Sequence, residues 1–130
     1  MGLLDSIFGK PKKGAIELTE ENFNELVWDA KLPVIIDFYA DWCQPCQVMI
    51  SLINRLAKEY EGKVLICKAN VDYNPKLSQH FEVKSVPTLL FIENNAVAER
   101  VSGLTPYPVL IEKTESLISA SVEKIEENIE

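Results

Sequence analysis

Apolar positions recur along this chain with two different periods. From Pro45 to Tyr60, Cys46, Met49, Ile50, Ile53, Leu56, Ala57 and Tyr60 follow one another at steps of three and four, while Gln47, Asn54, Arg55, Lys58 and Glu59 fall elsewhere. That spacing predicts one apolar face on an α-helix. Just before it, residues 34–40 (VIIDFYA) form a near-continuous apolar run rich in β-branched side chains, the pattern of a strand covered on both faces and therefore central in a sheet.

The same reading extends in both directions. Residues 15–18 (AIEL) alternate like a short strand, and Thr19 is placed to cap a helix with Glu20 and Glu21 in its first turn and Phe23, Leu26, Val27 and Ala30 on one face. Gly62-Lys63 ends the central helix. Residues 64–71 (VLICKANV) predict another strand, and Asn74-Pro75 opens a short helix toward Phe81. After Ser85-Val86-Pro87, residues 88–92 (TLLFI) and 97–101 (VAERV) predict two strands joined by a turn at residues 93–96. From Thr105 and Pro106 a final helix runs to the end, with Leu110, Leu117, Ile118, Val122, Ile125 and Ile129 apolar. The element order β-α-β-α-β-α-β-β-α predicts an α/β sandwich with crossover helices against a largely parallel sheet and a closing hairpin.

Residues 1–14 stand apart. They pair a short apolar patch (Leu3, Leu4, Ile7, Phe8) with Lys10, Lys12 and Lys13, ahead of a unit covering residues 15–130. The plain reading is a flexible tail, and the sharper one an amphipathic element in which residues 1–13 touch a membrane surface or a partner.

Composition narrows the function. At 130 residues, 47% hydrophobic and 25% charged, the chain has the balance of one soluble globular domain. A net charge of −7 argues against nucleic acid, which demands clustered cations. No apolar run approaches the ~20 residues of a membrane-spanning helix, so a soluble cytoplasmic protein is expected.

The chemistry concentrates in residues 41–47, DWCQPCQ. Three cysteines, Cys43, Cys46 and Cys67, are an odd number in a chain large enough to fold on its core, so a structural disulfide framework is disfavoured. A zinc site needs about four ligands, and beyond Cys67 and the single His80 there is no second pair at zinc spacing; no metal is expected. Cys67 reads as a small buried hydrophobe, and His80 as an exposed helix residue.

A redox pair remains. Cys43 falls at a helix start, where unpaired N–H groups and the dipole favour a thiolate. The dipole supplies about 0.3 to 2 kcal/mol, and one pKa unit is worth about 1.4, so hydrogen bonds must add to it, including one from Cys46. Cys43 is the exposed sulfur that attacks a disulfide; Cys46, one turn on and facing inward, resolves the mixed disulfide. Asp37, the one charged residue in its apolar strand, is the proton acceptor for Cys46, its pKa raised by desolvation.

With these residues set out, the chain resembles the thioredoxin family over about residues 15–120. DFYADWCQPC matches the family's strand-to-active-site passage, with Asp37 at the buried acid, Trp42 before the first cysteine and Pro45 between the two. The resemblance implies a three-layer α/β/α fold with a mixed five-stranded sheet and four main helices. It implies that Lys68, in KANVD with Asp72, lies near Asp37 and modulates its protonation. It also implies a cis Val86–Pro87 bond against the sulfurs, a Val86 backbone that pairs with an extended substrate, and a Gly103 that leaves room beside the site, where Trp42 and Pro45 also meet substrate.

Three positions depart from the family pattern: Gln44 for Gly, Gln47 for Lys and Ser51 for Pro. Gln44 and Gln47 tune the couple, Gln47 by removing a cation beside the thiolate, and the absence of the proline predicts a straighter helix. The expected function is reduction of protein disulfides by a monomer that needs no cofactor beyond the Cys43–Cys46 couple and is recharged by a thioredoxin-reductase-like donor. The alternatives are a dedicated redox partner or isomerase with a shifted potential, and a non-catalytic binding module of the same fold.

Overall fold

A computed structural model describes residues 14–129, with side chains through 123. The amphipathic reading of residues 1–13, and the side chains of Ile125 and Ile129, lie outside the described residues.

Five strands form one mixed sheet in the order β1-β3-β2-β4-β5, with β1 at Ile16–Glu17, β2 at Val34–Tyr39, β3 at Leu65–Asn70, β4 at Thr88–Glu93 and β5 at Ala96–Ser102. β1, β3 and β2 run parallel; β4 is antiparallel to β2, and β5 to β4. This is the mixed five-stranded sheet that the family resemblance implies: the crossover units give the parallel strands, and the chain enters β4 from the opposite end before closing in the β4–β5 hairpin. β2 is central and buried at all its positions, as its unbroken apolar run requires. The hairpin between β4 and β5 turns on Asn94 and Asn95, at φ +53° and +63°, the left-handed pair that a two-residue hairpin loop demands.

Four helical segments cover the sheet: α1 at Asn24–Trp28, α2 at Gln44–Glu59, α3 at Pro75–His80 and α4 at Tyr107–Ile129. Alternation along β2 divides the core. Val34, Ile36 and Phe38 pack with Phe23 and Val27 of the α1 region and with Leu77 and Phe81 around α3. Ile35, on the opposite face, packs with Met49, Ile53 and Leu56 of α2 and with Leu110 and Leu117 of α4. Each of these buried side chains contributes roughly 1.5 to 3 kcal/mol, so both layers are held by apolar area more than by caps.

Two local expectations need correction. Thr19 does cap this segment, in the reciprocal manner of a capping box: Thr19 N–H donates to Asn22 Oδ1 and Asn22 N–H to Thr19 Oγ1. The helix it opens is not a regular α-helix, since α1 is a single π-helical turn with Asp29 N–H donating to Asn24 C=O at 3.0 Å. Second, the apolar stripe of α4 outruns the core, leaving Val122 47% exposed. Gly14 lies against α2, where a side chain would collide with the Asn54 amide that accepts the Ala15 N–H.

Candidate active site

The site lies where the carboxyl end of β2 meets the start of α2. Cys43 is the N-cap of α2, with extended backbone at φ −94° and ψ 112°, and Pro45 occupies the first turn, where its missing N–H is not needed. Cys43 and Cys46 form a disulfide with Cα atoms 5.2 Å apart, within one helical turn. The Cys46 backbone N–H points at Cys43 Sγ at 3.2 Å, so the hydrogen bond expected from Cys46 comes from its main chain.

The exposure of the pair departs from expectation. Cys43 was expected to be exposed but is only 5% exposed, and Cys46 is 0%. The asymmetry keeps its direction, because packing against Tyr39, Ala40, Ile50, Val71 and Val86 leaves solvent access on the Cys43 side alone. Gln44 and Gln47 are exposed on the first turn of α2, and Gln44 is the helix's opening residue. With Ser51 in place of proline, α2 continues unbroken for 16 residues.

Asp37 is fully buried, between Ile35 and Tyr39 on the face of β2 that α2 covers, and neither of its carboxylate oxygens has a hydrogen-bond partner among the described residues. Burial pushes its pKa from 3.8 up to about 8, and Lys68, its register partner on β3, pulls the other way. Cys67 is also fully buried, and desolvation raises its thiol to about 12, so it stays protonated and unreactive. His80 is exposed, as expected, and its ring stacks edge-on against Trp28 and Phe81.

Opposite the sulfurs, the Val86–Pro87 bond is cis and the Val86 carbonyl lies 3.8 Å from Cys43 Sγ. Trp42, Val71, Val83, Lys84, Ser85 and Val86 line a shallow groove of about 160 Å³ beside this carbonyl. Gly103 donates its N–H to the Pro87 carbonyl at 2.9 Å and sits at φ +91°, where a side chain would be strained although the space around it is open.

Contacts between loops went unread in the sequence. Trp42, 73% exposed, donates its indole N–H to Asp72 Oδ2 at 2.9 Å, and Tyr73 donates its hydroxyl to Asp41 Oδ2 at 3.4 Å. Each loop thus contributes an Asp followed by an aromatic residue, and each aromatic donates to the other loop's acid. The only signal in the sequence is the Asp-aromatic dipeptide at residues 41–42 and 72–73, which also occurs at residues 37–38 inside β2. Glu17 was likewise missed; it lies 3.8 Å from Lys68 Nζ and accepts from the Tyr39 hydroxyl.

Comparison with known proteins agrees with this geometry. The thioredoxin family model matches residues 14–116. The chain is 36% identical over 102 residues to a thioredoxin of Chlorobaculum thiosulfatiphilum, covering 78% of this chain and 94% of that protein. It is 33% identical over 101 residues to thioredoxin 1 of Nostoc sp., covering 78% and 94%. An M-type chloroplastic thioredoxin of Spinacia oleracea is 34% identical over 103 residues, which span 79% of this chain but 57% of the spinach protein.

Proposed function

The chain belongs to the thioredoxin family, and from that premise we propose that it reduces protein disulfides by dithiol-disulfide exchange through Cys43 and Cys46. The observation that carries the proposal is the Cys43–Cys46 pair at a helix N-terminus, with an N–H aimed at Cys43 Sγ. In the reduced protein that N–H and the helix dipole favour a Cys43 thiolate, which attacks one sulfur of a client disulfide and releases the other as a thiolate. Cys46 then attacks Cys43 Sγ. The second client sulfur leaves, the Cys43–Cys46 bond forms, and two electrons have passed from the protein to the client.

Cys46 must lose its proton before it attacks. A carboxylate left at its ordinary value would be far too weak a base for any thiol, whereas burial raises Asp37 from 3.8 to about 8. Burial therefore brings Asp37 toward the proton affinity of a thiol, as an acceptor for Cys46 requires. The Val86 backbone and the groove beside it take an extended client segment, with Trp42, Pro45 and Gly103 bounding the approach.

A reductase-like donor returns the oxidised pair to the dithiol, and the couple needs no other cofactor. We place the working form in the cytoplasm as a monomer; among the described residues no helix is long and apolar enough to cross a membrane.

The test is insulin reduction by dithiothreitol. The intact chain is expected to bring on precipitation of the insulin B chain severalfold sooner than dithiothreitol alone, and no acceleration would reduce the protein to a binding module. A second reading, an isomerase or dedicated partner with a shifted potential, is favoured by the exposed, uncharged Gln44 and Gln47 beside the pair. Equilibration against glutathione separates the two: a strongly reducing couple supports the reductase, and a mildly oxidising one the isomerase.

A further inference from the structure

Three neighbouring strands carry one lateral row of charged side chains. Glu17 of β1 is in register with Lys68 of β3, and Lys68 is in register with Asp37 of β2. Register partners project from the same face of a sheet, with strands about 4.8 Å apart. The row therefore reads acid, cation, acid from the sheet edge to its centre, and burial deepens along it: Glu17 is exposed, Lys68 half-buried and Asp37 fully buried.

The cation of this row is already engaged at the edge. Lys68 Nζ lies 3.8 Å from Glu17 Oε1 and 5.6 Å from the centre of the Tyr39 ring. The Tyr39 hydroxyl, 3.0 and 2.9 Å from the two Glu17 oxygens, donates to that carboxylate and pins it over the lysine. Burial, and then the bond to Glu17, push the Tyr39 phenol well above its usual range, so it remains a donor throughout neutral pH. Asp37 receives no hydrogen bond from Lys68.

We propose that Glu17, anchored by the Tyr39 hydroxyl, is a positioning residue for the redox reaction: it holds the Lys68 ammonium toward the solvent edge and so keeps Asp37 able to take up the proton of Cys46. This rests on the reading of Asp37 as the proton acceptor. An ammonium free to close on a buried carboxylate would keep it ionised and make it a weak base. Pairing Lys68 with exposed Glu17 instead avoids desolvating both charges in the core.

No other cation competes for Asp37 among the described residues on this face. α2 presents the two sulfurs, β4 places Leu89 opposite Asp37, and the inward residues of α4 are Leu110, Thr114 and Leu117. The Lys113–Glu99 ion pair, on α4 and β5, is mutually compensated.

The experiment is a ¹³C-carboxyl NMR titration of Asp37 in the intact, oxidised chain. Glu17→Gln is expected to lower the titration midpoint by about half to one pH unit, Tyr39→Phe to lower it by less, and Lys68→Met to raise it. In a Lys68→Met background the Glu17→Gln effect should shrink to below half its size, because only direct repulsion between two acids remains. The acid limb of the pH profile for insulin reduction should move with the midpoint, which a merely structural Glu17 would not do. An unchanged midpoint in Glu17→Gln, or an effect undiminished without Lys68, overturns the proposal. Failure of the unsubstituted chain to reduce insulin would instead overturn the parent reading, while the titration still decides whether Glu17 governs Asp37.

Discussion

Replacing Cys46 with serine is expected to leave client proteins covalently held on Cys43, whereas replacing Cys43 with serine should trap none. The reason is positional. Cys43 caps α2 and has the only solvent access of the pair, so a client disulfide reaches it first. Cys46 is fully buried and meets the client only through Cys43 Sγ. Removing the second sulfur stops the reaction after the first exchange, and removing the first prevents it from starting. Both variants should lose turnover on the order of 10³-fold or more, since the two sulfurs act as one chemical unit and single losses are not additive. Non-reducing electrophoresis of lysate passed over each immobilised variant reads the trapping. Equal trapping by both would sink the division of labour.

The second large effect is on stability. In Asp37→Asn the side chain keeps its shape and loses its ionisation. Asp37 titrates at about 8 in the fold and near 3.8 when unfolded, so between those values the folded chain retains a proton that the unfolded chain has released. The stability contributed by the protonated form is fully present below pH 3.8 and falls as pH rises toward 8. The wild-type chain should therefore weaken relative to Asp37→Asn by about 4 kcal/mol between pH 5 and pH 9, as linkage over those two values requires. Urea unfolding at both pH values checks it. A stability gap of the same size at both would mean that Asp37 is not held protonated by the fold. The same variant should reduce insulin about 10²- to 10⁴-fold more slowly near neutrality, the usual worth of a positioned proton acceptor.

Stability and function thus pull on one residue in opposite directions. A carboxyl in the middle of β2 weakens the fold at high pH, and the same burial matches its proton affinity to that of a thiol. The Glu17–Lys68 pair sits beside this compromise, and on the proposal above it sets the balance point.

The placement of the candidate sulfurs and of the buried acid was legible before any coordinates. The step from an apolar strand to an amphipathic helix at residues 34–60 is a local pattern, and it located Cys43 at a helix start and Asp37 in a buried strand. The pairing of Trp42 with Asp72, the hold of Glu17 on Lys68 and the deep placement of Cys43 were not legible. Each depends on segments 30 or more residues apart coming together, as for Trp42 and Asp72, and no period within a short window encodes that. The π-helical winding at Asn24–Trp28 is not legible either, because the cap at Thr19 and the buried Phe23 and Val27 suit an α-helical period equally well.

The amino-acid order alone decided which segments pack, which face of each is apolar and which residues carry reactive groups, because those properties repeat every two or 3.6 residues along the backbone. The antiparallel seating of β4 against β2, the row Glu17, Lys68 and Asp37, and the rise of Asp37 toward the proton affinity of a thiol were decided only in the folded sheet. Strand register and solvent exclusion are properties of several segments assembled together, and a charge acquires its local field only once its neighbours across the sheet are in place.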